Sequence, residues 1–484
     1  MKKFIALMLL VCMLVCGFLT ACNNNDGSNN PDDSGSQGSK TTHSIPTGDV
    51  TVTFYHTMGK NLSDVLVKYI AEFNKVYPNI TIDQQTIGGY DDVRDQVITE
   101  LQAGKQPALA YCYPDHVATY LRSKKVVDLN EYINDETVGL TQAQIDDFIA
   151  GYYAEGQQFG DTSKMYSLPF SKSTEVMYYN KTFFDNNGLK VPDHWFSTGA
   201  TDDTSVEYVI KKIKEIEPTS IPLGYDSEAN WFITMTEQLK TPYTQAVDKV
   251  QDRFLFNNEQ NIEFCEKFRG WCQNGLMTTQ AIYGGYTSGL FTNTTANEEG
   301  KVIHSYISIG SSAGATYQCP AKSDNGSYPF EVGIATIPQA DASNKKVISQ
   351  GPSITMLKQK DQTVNDAAWI FLKFLLTSPE FQAEFSMASG YVPVLKSAFE
   401  LDAYKEFLSG ANMTKDGIAA LSAKICMEQE SAYFTSPAFI GSSDARDEVG
   451  KLLVAYISAA STATQDELKQ LFVDAYNRCV TLNQ

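Results

Sequence analysis

The sequence predicts an α/β protein built as two domains, and three observations carry this. Strand-like and helix-like segments alternate from Val50 onward. A single core stops growing near ~250–300 residues, and this chain has 484. A second set of β-rich segments, at 302–309 and 332–337, returns only after a helix-dominated stretch.

The chain opens with Met1-Lys2-Lys3, an apolar run at 4–19, and Thr20-Ala21-Cys22. The positive start, an apolar run shorter than the ~20 residues of a membrane span, and small residues before a cysteine predict a secretory signal peptide at 1–21. Leu19-Thr20-Ala21-Cys22 also resembles a bacterial lipobox, which implies cleavage before Cys22 and a lipid on Cys22. The expected location is the extracytoplasmic face of the cell membrane. Residues 22–49 are expected to form the lipidated cysteine and a disordered tether. They are mostly Asn, Gly, Ser and Asp, and bury too little apolar surface to fold. A coil of roughly 26 such residues spans about 28 Å on average.

Folded sequence is expected from Val50. Val50-Thr51-Val52-Thr53-Phe54-Tyr55 alternates as a strand does. Leu62, Val65, Leu66, Tyr69, Ile70, Phe73, Val76 and Tyr77 share a helical face, and Pro78 stops that helix. Ile80-Thr81-Ile82 starts the next strand, 90–101 reads as a helix, and 108–113 as a short buried strand. Residues 366–376 read as a buried helix. Thr464-x-x-Glu467 is a capping box for a C-terminal helix carrying Leu468, Leu471, Phe472, Ala475, Tyr476 and Cys479.

A hydrophobic content of 43% suits packed domains, and the formal net charge is -19. Such an acidic chain argues against nucleic acid and against a polybasic membrane patch. It leaves an anionic ligand open, because a buried site responds to its local field. Beyond Cys12, Cys16 and Cys22, the cysteines are Cys112, Cys265, Cys272, Cys319, Cys426 and Cys479. They are widely scattered, and two helical turns, about 10 Å, separate Cys265 from Cys272, too far for a bridge. Most read as small buried apolar residues. His43, His56, His116, His194 and His304 show no metal-ligand spacing, so no zinc site is expected.

Several stretches resemble one family. They are Val52-Thr53-Phe54-Tyr55-His56-Thr57-Met58, Glu72-Phe73-Asn74-x-x-Tyr77-Pro78, Gly104-x-x-Pro107-Ala108, Leu168-Pro169-Phe170-Ser171-Lys172-Ser173-Thr174 with Tyr178-Tyr179-Asn180-Lys181, and Ser389-Gly390-Tyr391-Val392-Pro393. In this order they are similar to the family-1 extracellular solute-binding proteins of bacterial ABC importers, closest to the glycerol-3-phosphate-binding receptors. The resemblance implies a two-lobed, periplasmic-binding-protein type II fold with three interlobe crossovers. Lobe one is then 50–165 plus 335–377, and lobe two 166–334 plus 378–484. It also implies a monomer without cofactor, metal or catalysis, whose lobes close on a small ligand and dock on a membrane permease.

The same resemblance implies the ligand-binding residues. Tyr90 lies where the family places a cleft tyrosine. Asp115, after Tyr113-Pro114, stands near the position of a family glutamate that accepts bonds from ligand hydroxyls. Ser173 matches a ligand-binding serine, and Trp231 a ring that stacks on the ligand. Ser311 opens a Ser/Gly turn whose N–H groups suit an anion. Gly351 matches a glycine whose backbone approaches the ligand, and Tyr391 lies in the long Ser-Gly-Tyr-Val-Pro motif. Arg446 matches a phosphate-binding arginine, whose planar fork suits phosphate. A partner arginine of the family has no counterpart in Ser436-Pro437-Ala438-Phe439-Ile440-Gly441, which favours a phosphodiester or a neutral sugar over a phosphate monoester.

Gly310-Ser311-Ser312-Ala313-Gly314 spells G-x-S-x-G after a strand, the pattern of a nucleophile elbow. No histidine follows Ser312, so the order serine, acid, histidine cannot be completed. The expected function is therefore a receptor for glycerol-3-phosphate or a glycerophosphodiester. A sugar or oligosaccharide receptor is the alternative, and a secreted serine hydrolase a distant one. The anchor has a direct test: Cys22→Ser should release the protein from the membrane fraction or leave its precursor uncleaved, as read by fractionation and gel mobility.

Overall fold

Two sheets, each with its own apolar core, organise the chain. The computed structural model describes residues 42–484 apart from 161–162, 297–299, 301 and 416. The signal segment, Cys22 and most of the expected tether lie outside the described residues.

The first sheet runs, edge to edge, Ile80–Thr86, Val50–His56, Leu109–Cys112, Ser353–Met356 and Leu168–Pro169. Its first three strands are parallel, and Ser353–Met356 is antiparallel to both neighbours. Helices Lys60–Val76 and Tyr90–Ala103 make the parallel connections. Val52 and Phe54 are buried while Thr51 is exposed, as the alternation predicts. Helix Lys60–Val76 buries Val65, Leu66, Tyr69 and Phe73 and stops before Pro78, whose ring disfavours helical backbone at Tyr77.

The second sheet runs Tyr433–Phe434, Val347–Gln350, Ser173–Asn180, Ile307–Ser311, Leu223–Tyr225 and Met277–Thr279. Val332–Ala335 also pairs with Ser173–Asn180. Its core collects Trp195, Tyr225, Trp231, Phe232 and Phe268, with Tyr456 and Phe472 from the two C-terminal helices. The last helix, Gln465–Leu482, opens on the expected capping box: Glu467 N–H donates to Thr464 Oγ1 at 3.2 Å, and Thr464 N–H to Glu467 Oε2 at 2.7 Å. Among the described residues no helix is long and apolar enough to cross a membrane.

The chain passes between the sheets three times: between Leu168–Pro169 and Ser173–Asn180, between Val347–Gln350 and Ser353–Met356, and beyond helix Asp402–Ser409. The lobe borders differ from those expected. Residues 166–170, expected in lobe two, belong to the first sheet and core, where Phe170 packs. Residues 335–350, expected in lobe one, end in the second sheet, where Val347–Gln350 pairs with Ser173 and Thr174. Residues 379–408, expected in lobe two, pack on the first core. Phe381 lies 5.0 Å from Tyr69 and 5.4 Å from Phe170, ring to ring, and Phe385 lies 5.1 Å from Phe170. Periodicity marks a segment as buried, but not which of two similar cores it joins.

The expected tether also ends earlier than Val50. His43 is 3% exposed, with Nδ1 3.0 Å from Asp366 Oδ1 and its ring 3.9 Å from that of Tyr132. Asn79 Nδ2 donates to Pro46 O and Gly48 O, both at 2.9 Å. A composition count misses this, because the anchor is one histidine meeting one buried carboxylate. A chain starting at Val50 should be less stable than one starting at Thr42 by about 1–3 kcal/mol, the cost of leaving buried polar groups short of partners. Urea unfolding of the two chains measures the difference.

Candidate ligand-binding site

A crevice opens where the crossings meet. Strand Leu109–Cys112 leads into Tyr113, and Pro114, pre-set for a first helical position, starts helix Pro114–Tyr120. This buries Asp115, 4% exposed, at the helix start. Asp115 Oδ1 accepts from His116 N–H at 3.2 Å, whereas Oδ2 has no partner among the described residues. Opposite, Arg446 on helix Ser442–Ile457 donates to Asn230 Oδ1 of helix Glu228–Leu239. Among the described residues Arg446 makes no hydrogen bond or ion pair with a carboxylate.

Gly351 sits at the second crossing with φ +92°, and a Cβ there would lie 2.3 Å from Ser171 O and 2.8 Å from Lys172 Cα. Only glycine fits both that backbone and that approach. Beside it, Lys172 and Glu155 form a buried ion pair, with side chains 2% and 3% exposed. Glu155 Oε1 accepts from Ser349 Oγ at 2.7 Å and Thr435 Oγ1 at 3.1 Å. The crevice between these groups has a volume of about 20 Å³, room for about one water. Anything larger requires the lobes to part, a hinge motion this topology permits.

The remaining expected residues distribute as follows. The hydroxyls of Tyr90 and Tyr391 lie 3.2 Å apart, and the Tyr90 ring is 4.5 Å from that of Tyr113. Burial raises the pKa of all three phenols, so they stay neutral hydrogen-bonding groups. Ser173 is buried and pairs in the sheet with Gln350, next to Gly351. Lys172 exchanges backbone bonds with Val392 at 3.2 and 2.7 Å, which sets Tyr391 beside the same crossing. Tyr90, Tyr113, Asp115, Ser173, Gly351, Tyr391 and Arg446 thus gather at one junction.

Two expectations need correction. Trp231 offers no ring to the crevice: it is 0% exposed, stacked between Tyr225 at 4.5 Å and Phe268 at 4.0 Å. Its helix turns the neighbouring Asn230 to Arg446 and Trp231 into the core. Ser311 does not line the crevice either. Its Oγ accepts from Ala313 N–H at 3.2 Å and caps the short helix Ser312–Gln318. Ser312 is 0% exposed, with Oγ accepting from Thr174 N–H at 3.3 Å. Among the described residues no histidine bonds it, so it has no activated-nucleophile geometry.

The sequence reading missed the crevice residues Tyr113, Glu155, Lys172 and Asn230, and Glu175 in the adjoining strand. A charge inside the β-rich Ser173–Asn180 was a visible signal for Glu175, whereas nothing local marks Glu155. Glu175 is buried and accepts from the Tyr225 hydroxyl at 2.6 Å. Burial pushes its carboxyl up to about 7, opposed by Tyr225, Asn230 and the nearby Arg446 charge. A second link joins the two sides of the crevice. Arg94 of helix Tyr90–Ala103 donates to Ser443 Oγ at 3.1 Å and to Asp447 at 3.3 Å, one residue from Arg446.

The pattern of bacterial extracellular solute-binding proteins matches residues 68–410 of this chain. The chain belongs to that family. It is a binding protein for a small molecule, not an enzyme, which removes the hydrolase alternative. The sn-glycerol-3-phosphate-binding periplasmic protein UgpB of Yersinia pseudotuberculosis is 24% identical over 369 residues, 74% of this chain and 76% of its own length. Among solved structures, UgpB from Mycobacterium tuberculosis in complex with glycerophosphocholine superposes with a TM-score of 0.64 at 16% identity, covering 90% of this chain and 98% of that one. Lmo0181 from Listeria monocytogenes in complex with cycloalternan gives 0.68 at 16%, covering 90% and 99%. These likenesses establish the two-lobed fold of this solute-binding protein.

Glu175 supplies a pH test. Its carboxyl is raised from about 4.5 in the unfolded chain to about 7 in the folded one. The native state therefore holds the proton more tightly. The associated stability is complete below pH ~4.5 and is lost as pH rises through ~7, in total on the order of 3 kcal/mol. Glu175→Gln should flatten this slope, so its stability relative to the parent should rise from pH 5 to pH 8, as measured by urea unfolding.

Proposed function

We propose that this solute-binding protein is a lipid-anchored receptor, tethered through Cys22, that captures glycerol-3-phosphate or a glycerophosphodiester and delivers it to an ABC importer. The observation that carries the reading is Arg446, facing the crevice with no carboxylate partner among the described residues. A guanidinium so placed suits one phosphate oxygen pair. Asp115 Oδ2, buried and unpartnered, suits a ligand hydroxyl as donor. The hydroxyls of Tyr90 and Tyr391, Ser173, and the backbone at Gly351 supply further polar contacts near the same junction. The UgpB relatives, a glycerol-3-phosphate-binding protein and one solved with glycerophosphocholine, support a glycerol phosphate ligand.

Charge balance favours the phosphodiester. Lys172 offsets Glu155, and Arg446 offsets Asp115, so these four groups sum to zero. A monoester near its dianionic state adds two buried negative charges, a phosphodiester only one, and uncompensated buried charge is costly. The second reading, an oligosaccharide, is favoured by the tyrosine cluster of Tyr90, Tyr113 and Tyr391, whose rings and hydroxyls suit a sugar. Several structural neighbours were solved with maltose or larger saccharides.

Isothermal titration with glycerol-3-phosphate, glycerophosphocholine and maltose separates the readings. The phosphate esters should bind, the diester more tightly. Arg446→Ala removes one member of a buried charge pair, which costs about 2–5 kcal/mol, so it should weaken them by roughly 30-fold to several thousand-fold. A sugar should lose only about tenfold or less. Binding of maltose with no binding of either ester would replace the phosphate reading by the sugar one.

A further inference from the structure

We propose that Lys172 is a second cationic contact for the ligand's phosphate, held in place by Glu155. This rests on the phosphate reading of the crevice. Lys172 and Arg446 line the same small crevice from different segments, the first crossing and helix Ser442–Ile457. Both cations therefore border the space a phosphate group would enter.

The Lys172 ammonium retains donor capacity. Among the described residues its N–H groups go to Glu155 and to Gly351 O, the latter at 3.4 Å. An ammonium has three donors, so one remains for a ligand oxygen without breaking the ion pair. Glu155 accepts three bonds, from Lys172 on Oε2 and from the Ser349 and Thr435 hydroxyls on Oε1. These three bonds fix the carboxylate, and the carboxylate fixes the lysine. A side chain 2% exposed has little rotamer freedom left to lose on binding. Gly351 adds a further constraint: its carbonyl meets the ammonium while its missing Cβ lets the two crossings approach. Lys172 comes with its own counter-charge in Glu155, so the pair adds no buried excess of positive charge.

The test removes both charges together, because removing either alone leaves the other buried and unpaired. In the full chain, Glu155→Gln with Lys172→Met should weaken glycerophosphocholine by at least about tenfold, the worth of one charge-assisted hydrogen bond. The loss should be larger for glycerol-3-phosphate, whose second charge depends more on a second cation; a purely structural defect weakens both equally. In parallel, the Lys172 ammonium 15N–1H signal of the unmutated protein, assigned by its disappearance in Lys172→Arg, should move on adding glycerophosphocholine. This second measurement stands even where the double variant fails to fold. Affinity within about threefold of the parent, equal losses for the two esters, or an ammonium signal unmoved at saturation overturns the proposal while leaving the phosphate reading intact. If the unmutated protein binds neither ester, both the phosphate reading and this inference fall.

Discussion

The carboxylate of Glu155 is the contact on which the arrangement of the lobes turns. It binds Lys172 at the first crossing, Ser349 just before the second, and Thr435 in the segment that follows the third. These segments are far apart in sequence, and the carboxylate ties their side chains together where strands Ser173–Asn180, Val347–Gln350 and Tyr433–Phe434 also pair. Breaking a buried pair of this kind by removing one partner costs about 3–5 kcal/mol, because the remaining charge stays out of water. Its three hydrogen bonds make the pair tolerable in the interior, and its position ties the crossings together rather than leaving them a loose linker.

The proposed ligand contacts surround that junction. Asp115 and Tyr113 come from the first lobe, Asn230 and Arg446 from the second, and Gly351 from the connection itself. No single lobe holds a complete set. A guest that satisfies Arg446 and Asp115 together gains contacts only when both lobes embrace it, which is the differential affinity that drives closure. Arg94 adds a polar strap between the lobes beside Arg446. The crevice is small because the proposed contact groups lie close to one another.

The aromatic core of the second lobe positions one wall of the site without joining it. Tyr225, Trp231 and Phe268 form a continuous stack. Tyr225 carries its hydroxyl from that stack to Glu175, and Trp231 locks the helix that turns Asn230 toward Arg446. Trp231 thus acts through its neighbour in the chain, and its own ring contributes packing.

Much of the architecture was legible in the chain itself. Alternation at 50–55, the helical face ending at Pro78 and the capping box at Thr464 depend on neighbours within a few residues, and each stands in the structure as its local chemistry dictates. The family resemblance pointed to Tyr90, Asp115, Ser173, Gly351, Tyr391 and Arg446, and the structure brings these residues to one junction. What the sequence could not decide was everything set by contact across long separations. It could not tell a cleft tryptophan from a core one, since Trp231 and Asn230 differ only in which side of one helix they occupy. Nor could it assign 335–350 and 379–408 to a lobe, or see that His43 reaches a carboxylate at Asp366. Glu155 and Lys172 make the same point, because their pairing exists only once the crossings have brought those segments together. Local propensity determines the elements, and the tertiary structure alone decides which buried polar groups satisfy one another.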